Sequence, residues 1–138
     1  MKKVYFACSI RGGGDTSSYR SIIASIKNTG AHVLSEVFVN DAMSLQGSPL
    51  PDTEIYTRDI NWIQEADVVI ANVTNPSLGV GYELAYAESL EIPTLCLFNE
   101  DSPNKLSAMI SGNNKFTVVH YSSNNIDEHR IEAFLKQG

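Results

Sequence analysis

The sequence has no long apolar run. Nothing in it approaches the ~18 consecutive apolar residues that cross a bilayer, and the first ten residues meet Arg11 too soon to form a secretory signal. Cysteine is nearly absent. Cys8 and Cys96 lie inside the apolar stretches VYFACSI and TLCLF, and there is no Cys-x-x-Cys, so buried unpaired thiols are expected rather than a disulfide or a metal pair. His32, His120 and His129 are scattered without ligand spacing, so no metal is expected. Basic residues are scarce as well: ten Lys and Arg stand against sixteen Asp and Glu, a formal charge of -6. That balance disfavours nucleic acid and anionic membrane as partners, because both must be met by concentrated positive charge. The expected setting is cytoplasmic, with a small ligand.

What is present is ordinary globular material. A chain of 138 residues with 43% hydrophobic and 19% charged residues is expected to form one domain over residues 1–138 around a single core. Short β-prone runs alternate with helical periodicity: strands near Lys3 to Cys8, Ala31 to Glu36, Asp67 to Val73, Thr94 to Phe98 and Phe116 to His120. Helices are expected from Thr16 to Asn28 with Gly30 as the stop, from Asp52 or Thr53 as cap to Glu65, from Tyr82 to Leu90, from Lys105 to Ile110, and from Ile126 to Lys136. Residues 40–51, with Gly47, Pro49 and Pro51, read as a loop. This alternation predicts an α/β fold with a doubly wound parallel sheet.

In such folds ligands sit beyond the carboxyl ends of the strands. The loops SIRGGGDTSS, TNPSLGVG and NEDSPNKLSA follow the first, third and fourth strands. Ser9, Arg11, Gly12, Ser77 and Ser107 bring a guanidinium, hydroxyls and N–H groups there, a composition suited to a phosphate. The first loop lacks the Lys-Ser/Thr end of a Walker motif, and GVGYEL has Leu84 where a dinucleotide fingerprint needs Gly or Ala, so no cofactor is expected. Glu83 follows Gly79-Val80-Gly81 and reads as a carboxylate in a first helical turn, kept ionised by N–H groups. Asp59 lies mid-helix beside Arg58, where a solvated polar face is the alternative. Tyr5 needs a partner for its hydroxyl if buried, and Glu83 would be one.

The segments YFACSIRGG (5–13), DINWIQEADVVIANVTNPSLGVGYELAYA (59–87), LCLF (95–98) and LSAMISG (106–112) closely resemble the 2'-deoxynucleoside 5'-phosphate N-hydrolases, within the wider nucleoside 2-deoxyribosyltransferase family. The resemblance implies a Rossmann-like (flavodoxin-like) five-stranded parallel sheet with helices on both faces. It also implies a homodimer and hydrolysis of a nucleoside 5'-monophosphate to free base and 2-deoxyribose 5-phosphate. It assigns Glu83 as the nucleophile that forms a glycosyl ester, Tyr5 as its activator and Asp59 as the second carboxylate. Ser9, Arg11, Gly12 and Ser77 become the phosphate set, completed by Ser107 of the neighbouring subunit, and Met109 lines the shared pocket. Ala7-Cys8 departs from the usual Cys-Gly pair, and no residue of 40–51 is assigned, which leaves base preference open. The alternatives are a CMP-like ribonucleotide N-glycosidase, a nucleoside 2-deoxyribosyltransferase, or a nucleotide-binding module without chemistry.

Overall fold

The computed structural model describes residues 1–10, 16–45, 50–122 and 126–137. Five parallel strands, β1 (Lys3–Ala7), β2 (His32–Val33), β3 (Val68–Asn72), β4 (Thr94–Asn99) and β5 (Phe116–Tyr121), form one sheet in the order β2-β1-β3-β4-β5. This is the flavodoxin-like order, with the switch point between β1 and β3. All five residues of β3 are buried, which explains its unbroken run of β-formers: a central parallel strand is covered on both faces.

Alternation along β1 divides the core. Val4 and Phe6 pack under α1 (Thr16–Asn28) and α6 (Glu128–Lys136), against Tyr19, Ile22, Ile26, Ile131 and Phe134. Tyr5 and Ala7 face the opposite layer, where Ile63 of α3 (Asp52–Glu65) and Val80, Leu84 and Ala87 of α4 (Leu78–Ser89) cover the sheet. Gly30 stops α1 with a φ of 92°, and its N–H bonds Lys27 O at 2.9 Å. That is the left-handed helix end which only glycine takes without strain.

The five strands and the expected helices are present, but one helix was not expected and several boundaries differ. The second strand is two residues long, and residues 36–45 form a helix, α2 (Glu36–Leu45), where strand and then loop were expected. The run Glu36-Val37-Phe38-Val39 is β-prone by composition, yet Val39 is buried while Val37 is 69% exposed, a helical arrangement. Ser35 starts it by leaving the ladder: its hydroxyl bonds both N and O of Phe6, and its carbonyl accepts the first helical bond, from Val39 N, at 3.0 Å. α3 begins after Pro51 with no side-chain cap, so neither Asp52 nor Thr53 plays that part. α4 begins at Leu78 rather than Tyr82, because Ser77 caps it by accepting from Val80 N at 3.2 Å. The helix expected over 105–110 is the short α5 (Ala108–Ser111), and Asp127 caps α6.

Candidate active site

At the switch point the sheet, α2, α3 and the start of α4 enclose a cleft of about 780 Å³. Tyr5, Phe6, Cys8 and Ile10 come from β1 and its continuation, Phe38 and Val39 from α2, Ile55, Tyr56, Asp59 and Ile60 from α3, and Ser77, Gly79, Tyr82 and Glu83 from α4 and its cap. Two tyrosines form part of the rim. Tyr56 and Tyr82 meet edge to face at 6.2 Å between ring centres, with their hydroxyls 3.5 Å apart.

Inside, the buried hydroxyl of Tyr5 donates to Glu83 Oε2. The two residues are 78 positions apart, joined because β1 pairs with β3 and α4 follows β3. Burial and the charges of Glu83 and Asp59 hold the Tyr5 phenol well above its usual range, so Tyr5 stays a donor. Glu83 is pushed up to about 7, chiefly by burial, with the Tyr5 hydroxyl opposing and the Asp59 charge adding to the rise. This corrects the expected first-turn carboxylate stabilised by the helix end. With Ser77 as cap, Glu83 is the sixth helical residue, past the turn where the dipole acts, and desolvation prevails. Asp59 is raised by burial too, with the adjacent Arg58 pulling the other way. Its side chain is 15% exposed, so it is not on a solvated face. Two carboxylates in one cleft, both with raised proton affinity, titrate as a coupled pair.

The polar ligands for an anion divide. Ser77 accepts from Val80 N through Oγ and so keeps its own O–H to give. Ser9 is buried, and its Oγ has no hydrogen-bond partner among the described residues, an unusual state that a ligand oxygen would relieve. Its carbonyl accepts from Tyr19 at 3.0 Å. Arg11 and Gly12 lie outside the described residues. Ser107 caps α5 through Met109 N at 3.2 Å, and Met109 is 81% exposed; neither lines the cleft of its own chain. Asp67 is at the opposite end of β3, accepting from Lys3 N at 2.8 Å. Among the described residues no cluster of His, Cys, Asp and Glu is suited to a metal, and no helix is long and apolar enough to cross a membrane.

The sequence does not single out several residues of the cleft and its surroundings, among them Tyr56, Phe38 and the seat of Arg58. Phe38 went unnoticed because α2 did. Arg58 was seen as a neighbour of Asp59, but its seat between Phe38 and Trp62, at 3.9 and 4.8 Å from the ring centres, depends on that unseen helix.

The profile of the nucleoside 2-deoxyribosyltransferase family matches residues 4–133. The chain belongs to this family. A 5-hydroxymethyl-dUMP N-hydrolase of Mus musculus is 42% identical over 98% of this chain and 83% of its own. The Homo sapiens protein of that name is 40% identical over 96% and 76%. The family fold extends further than sequence: a CMP N-glycosidase of Clostridium botulinum superposes with a TM-score of 0.61 at 18% identity, over 99% of this chain and 100% of its own.

Proposed function

We propose that this chain is a nucleotide N-glycosidase that hydrolyses 2'-deoxynucleoside 5'-monophosphates to free base and 2-deoxyribose 5-phosphate. The observation that carries the reading is the Tyr5 hydroxyl on Glu83, set in a cleft beside Asp59. The relatives named as 5-hydroxymethyl-dUMP N-hydrolases support the substrate class. The reaction needs a negative Glu83 to attack C1' and a proton on the departing base. Near pH 7 the Glu83 and Asp59 pair carries part of a proton, and the Tyr5 O–H favours the charge on Glu83. Glu83 then forms the C1'–O bond as the C1'–N bond breaks. The base takes the bonding pair and a proton from Asp59. Water attacks C1' in a second step, gives its proton to Asp59 and releases Glu83 as carboxylate. A 2'-deoxy sugar eases both steps, since no electron-withdrawing 2'-hydroxyl opposes the oxocarbenium charge.

Phosphate binding by Ser9, Ser77, Arg11 and Gly12 would hold C1' against Glu83, so that binding remote from the bond becomes orientation. Ser107 and Met109 belong in this scheme to a second copy of the chain in a homodimer. Leu78, 97% exposed beside the cleft, and Met109 support such a contact. The free thiols Cys8 and Cys96 suit a reducing, cytoplasmic setting.

The test is a product assay over dGMP, dCMP, 5-hydroxymethyl-dUMP, GMP and CMP, with base and sugar phosphate both identified, for the wild type and for Glu83→Gln. Base release is expected from the deoxynucleotides, reduced by several orders of magnitude in the variant while nucleotide binding persists. Faster turnover of GMP or CMP, or transfer of the sugar from unphosphorylated deoxynucleosides, would overturn the assignment. Undiminished release by Glu83→Gln would overturn the chemistry.

A further inference from the structure

Behind the cleft wall lies an arrangement that the reaction scheme above leaves unused. Arg58 precedes Asp59 on α3, and consecutive helical residues do not face each other, so their contact has to be built. Arg58 Nε donates to Asp59 Oδ1 at 3.1 Å, and Nη2 lies 3.0 Å from the same oxygen. The guanidinium is sandwiched, with Cζ 3.9 Å from the centre of the Phe38 ring on α2 and 4.8 Å from that of Trp62, four residues along α3. Nη2 is buried and makes no hydrogen bond of good geometry among the described residues. An exposed surface pair needs none of this: a long side chain bent back, clamped by two rings and largely buried gives up rotamer freedom and solvent.

Its effect falls on the reacting groups. Asp59 and Glu83 face one cleft, and the Tyr5 hydroxyl that donates to Glu83 acts on Asp59 as well. The other titratable groups lining the cleft are Cys8, Asp52, Tyr56 and Tyr82, and Glu54 and Glu65 line the groove on the outer side of Arg58. Arg58 is the one Lys or Arg among the described residues that line either hollow. Its charge opposes protonation of Asp59 and of Glu83 alike. Phe38 also lines the cleft, so one ring is at once a pocket wall and half of the clamp.

We propose that Arg58 is a positioning residue: clamped between Phe38 and Trp62, it fixes Asp59 through one carboxylate oxygen, leaves the other for substrate, and balances two carboxylates that must work side by side. The role given to the pair rests on the glycosidase reading; the clamp and its charge do not.

The experiment compares wild type, Arg58→Lys and Arg58→Gln. Carboxyl 13C NMR titrations of Asp59 and Glu83 are recorded without substrate, and kcat, KM for dGMP and thermal midpoint are measured alongside. Arg58→Gln is expected to move both titrations to higher pH, by about one unit, and to lower kcat roughly 10- to 100-fold with KM nearly unchanged. Arg58→Lys keeps the charge but not the stacked fork, so its titrations stay near the wild type while kcat falls. A thermal midpoint that drops while titrations and kcat stay put would show a structural prop and overturn the proposal, as would a change confined to KM. Should Arg58→Gln fail to fold, Arg58→Lys and Phe38→Leu carry the same readouts, with Phe38→Leu expected to lower kcat by loosening the clamp; unchanged kcat in both overturns the proposal. If the wild type released no base from any nucleotide, the functional reading would fail while the titrations still judged Arg58.

Discussion

Replacing Tyr5 with Phe removes one hydroxyl from a buried site and keeps the ring that packs against α4. The lost bond runs from a neutral donor to a carboxylate, a class worth about 1.5 to 3 kcal/mol, or about one to two pH units at 1.36 kcal/mol per unit. Glu83 stands at about 7 with that bond pulling its affinity down, so in Tyr5→Phe it should titrate near 8 to 9. The sign is fixed by the role: Glu83 attacks as the anion while Asp59 must be protonated in both enzymes alike, so the ratio of variant to wild-type kcat/KM rises as pH climbs through the two Glu83 titrations. At pH 6 the ionised fraction would fall roughly 10- to 100-fold below that of the wild type, and above pH 9 the two enzymes would converge toward whatever orientation alone contributes. The assay is base release from dGMP between pH 5 and 10 at constant ionic strength, with thermal midpoints as a check on folding. The substrate phosphate titrates near pH ~6 in both enzymes, so the ratio between the profiles is the measurement. A variant-to-wild-type ratio that stays constant from pH 5 to 10 would refute the idea that Tyr5 sets the charge on Glu83.

Stability should carry the mark of the same carboxyl. Because Glu83 binds its proton more tightly folded (about 7) than at its ordinary value of 4.5, folding loses stability as pH rises between those values, by up to about 3 kcal/mol. Glu83→Gln lacks that loss, so its chemical-denaturation stability should exceed the wild type increasingly from pH 5 to 8; parallel curves would contradict the assigned burial. Ser77→Ala should cost about 1 kcal/mol of stability through the lost cap and raise KM about tenfold or more for nucleotides, whereas a changed kcat at constant KM would place Ser77 outside phosphate binding. Mixed dimers of Glu83→Gln with Ser107→Ala should regain up to half of wild-type activity, each variant being weak alone, since one site per dimer then receives both native residues. No recovery in verified mixed dimers would assign Ser107 to its own chain or to neither.

The sequence displays this fold unevenly. The unbroken apolar β3, the Ile spacing of α1 and the Gly30 stop are local signals, and the structure has each element there. α2 is hidden because Val37, Phe38 and Val39 favour strands individually, and only the Ser35 contacts with Phe6, from 29 residues away, end the strand early enough for a helix. Glu83 was singled out by its glycine-rich approach, but its electrostatics were misjudged: Ser77 moved the helix start back and put Glu83 beyond the reach of the exposed N–H groups. The Arg58 clamp was illegible for a related reason, since one of its rings comes from α2. The buried Ser9 oxygen shows in turn what sequence composition cannot, that one serine of a polar loop is held without a partner among the described residues.

The separation of Tyr5 from Glu83 by 78 positions also bears on how the enzyme comes into being. The hydroxyl reaches the carboxylate only after β1 has found β3 in parallel register and α4 has docked, and such non-local pairings are late and slow in folding. Secondary structure can therefore form while the reacting pair is still apart. In a refolding experiment, recovery of turnover should lag helix formation and coincide with the closing of the central sheet, which makes catalysis itself a clock for the final stage of assembly.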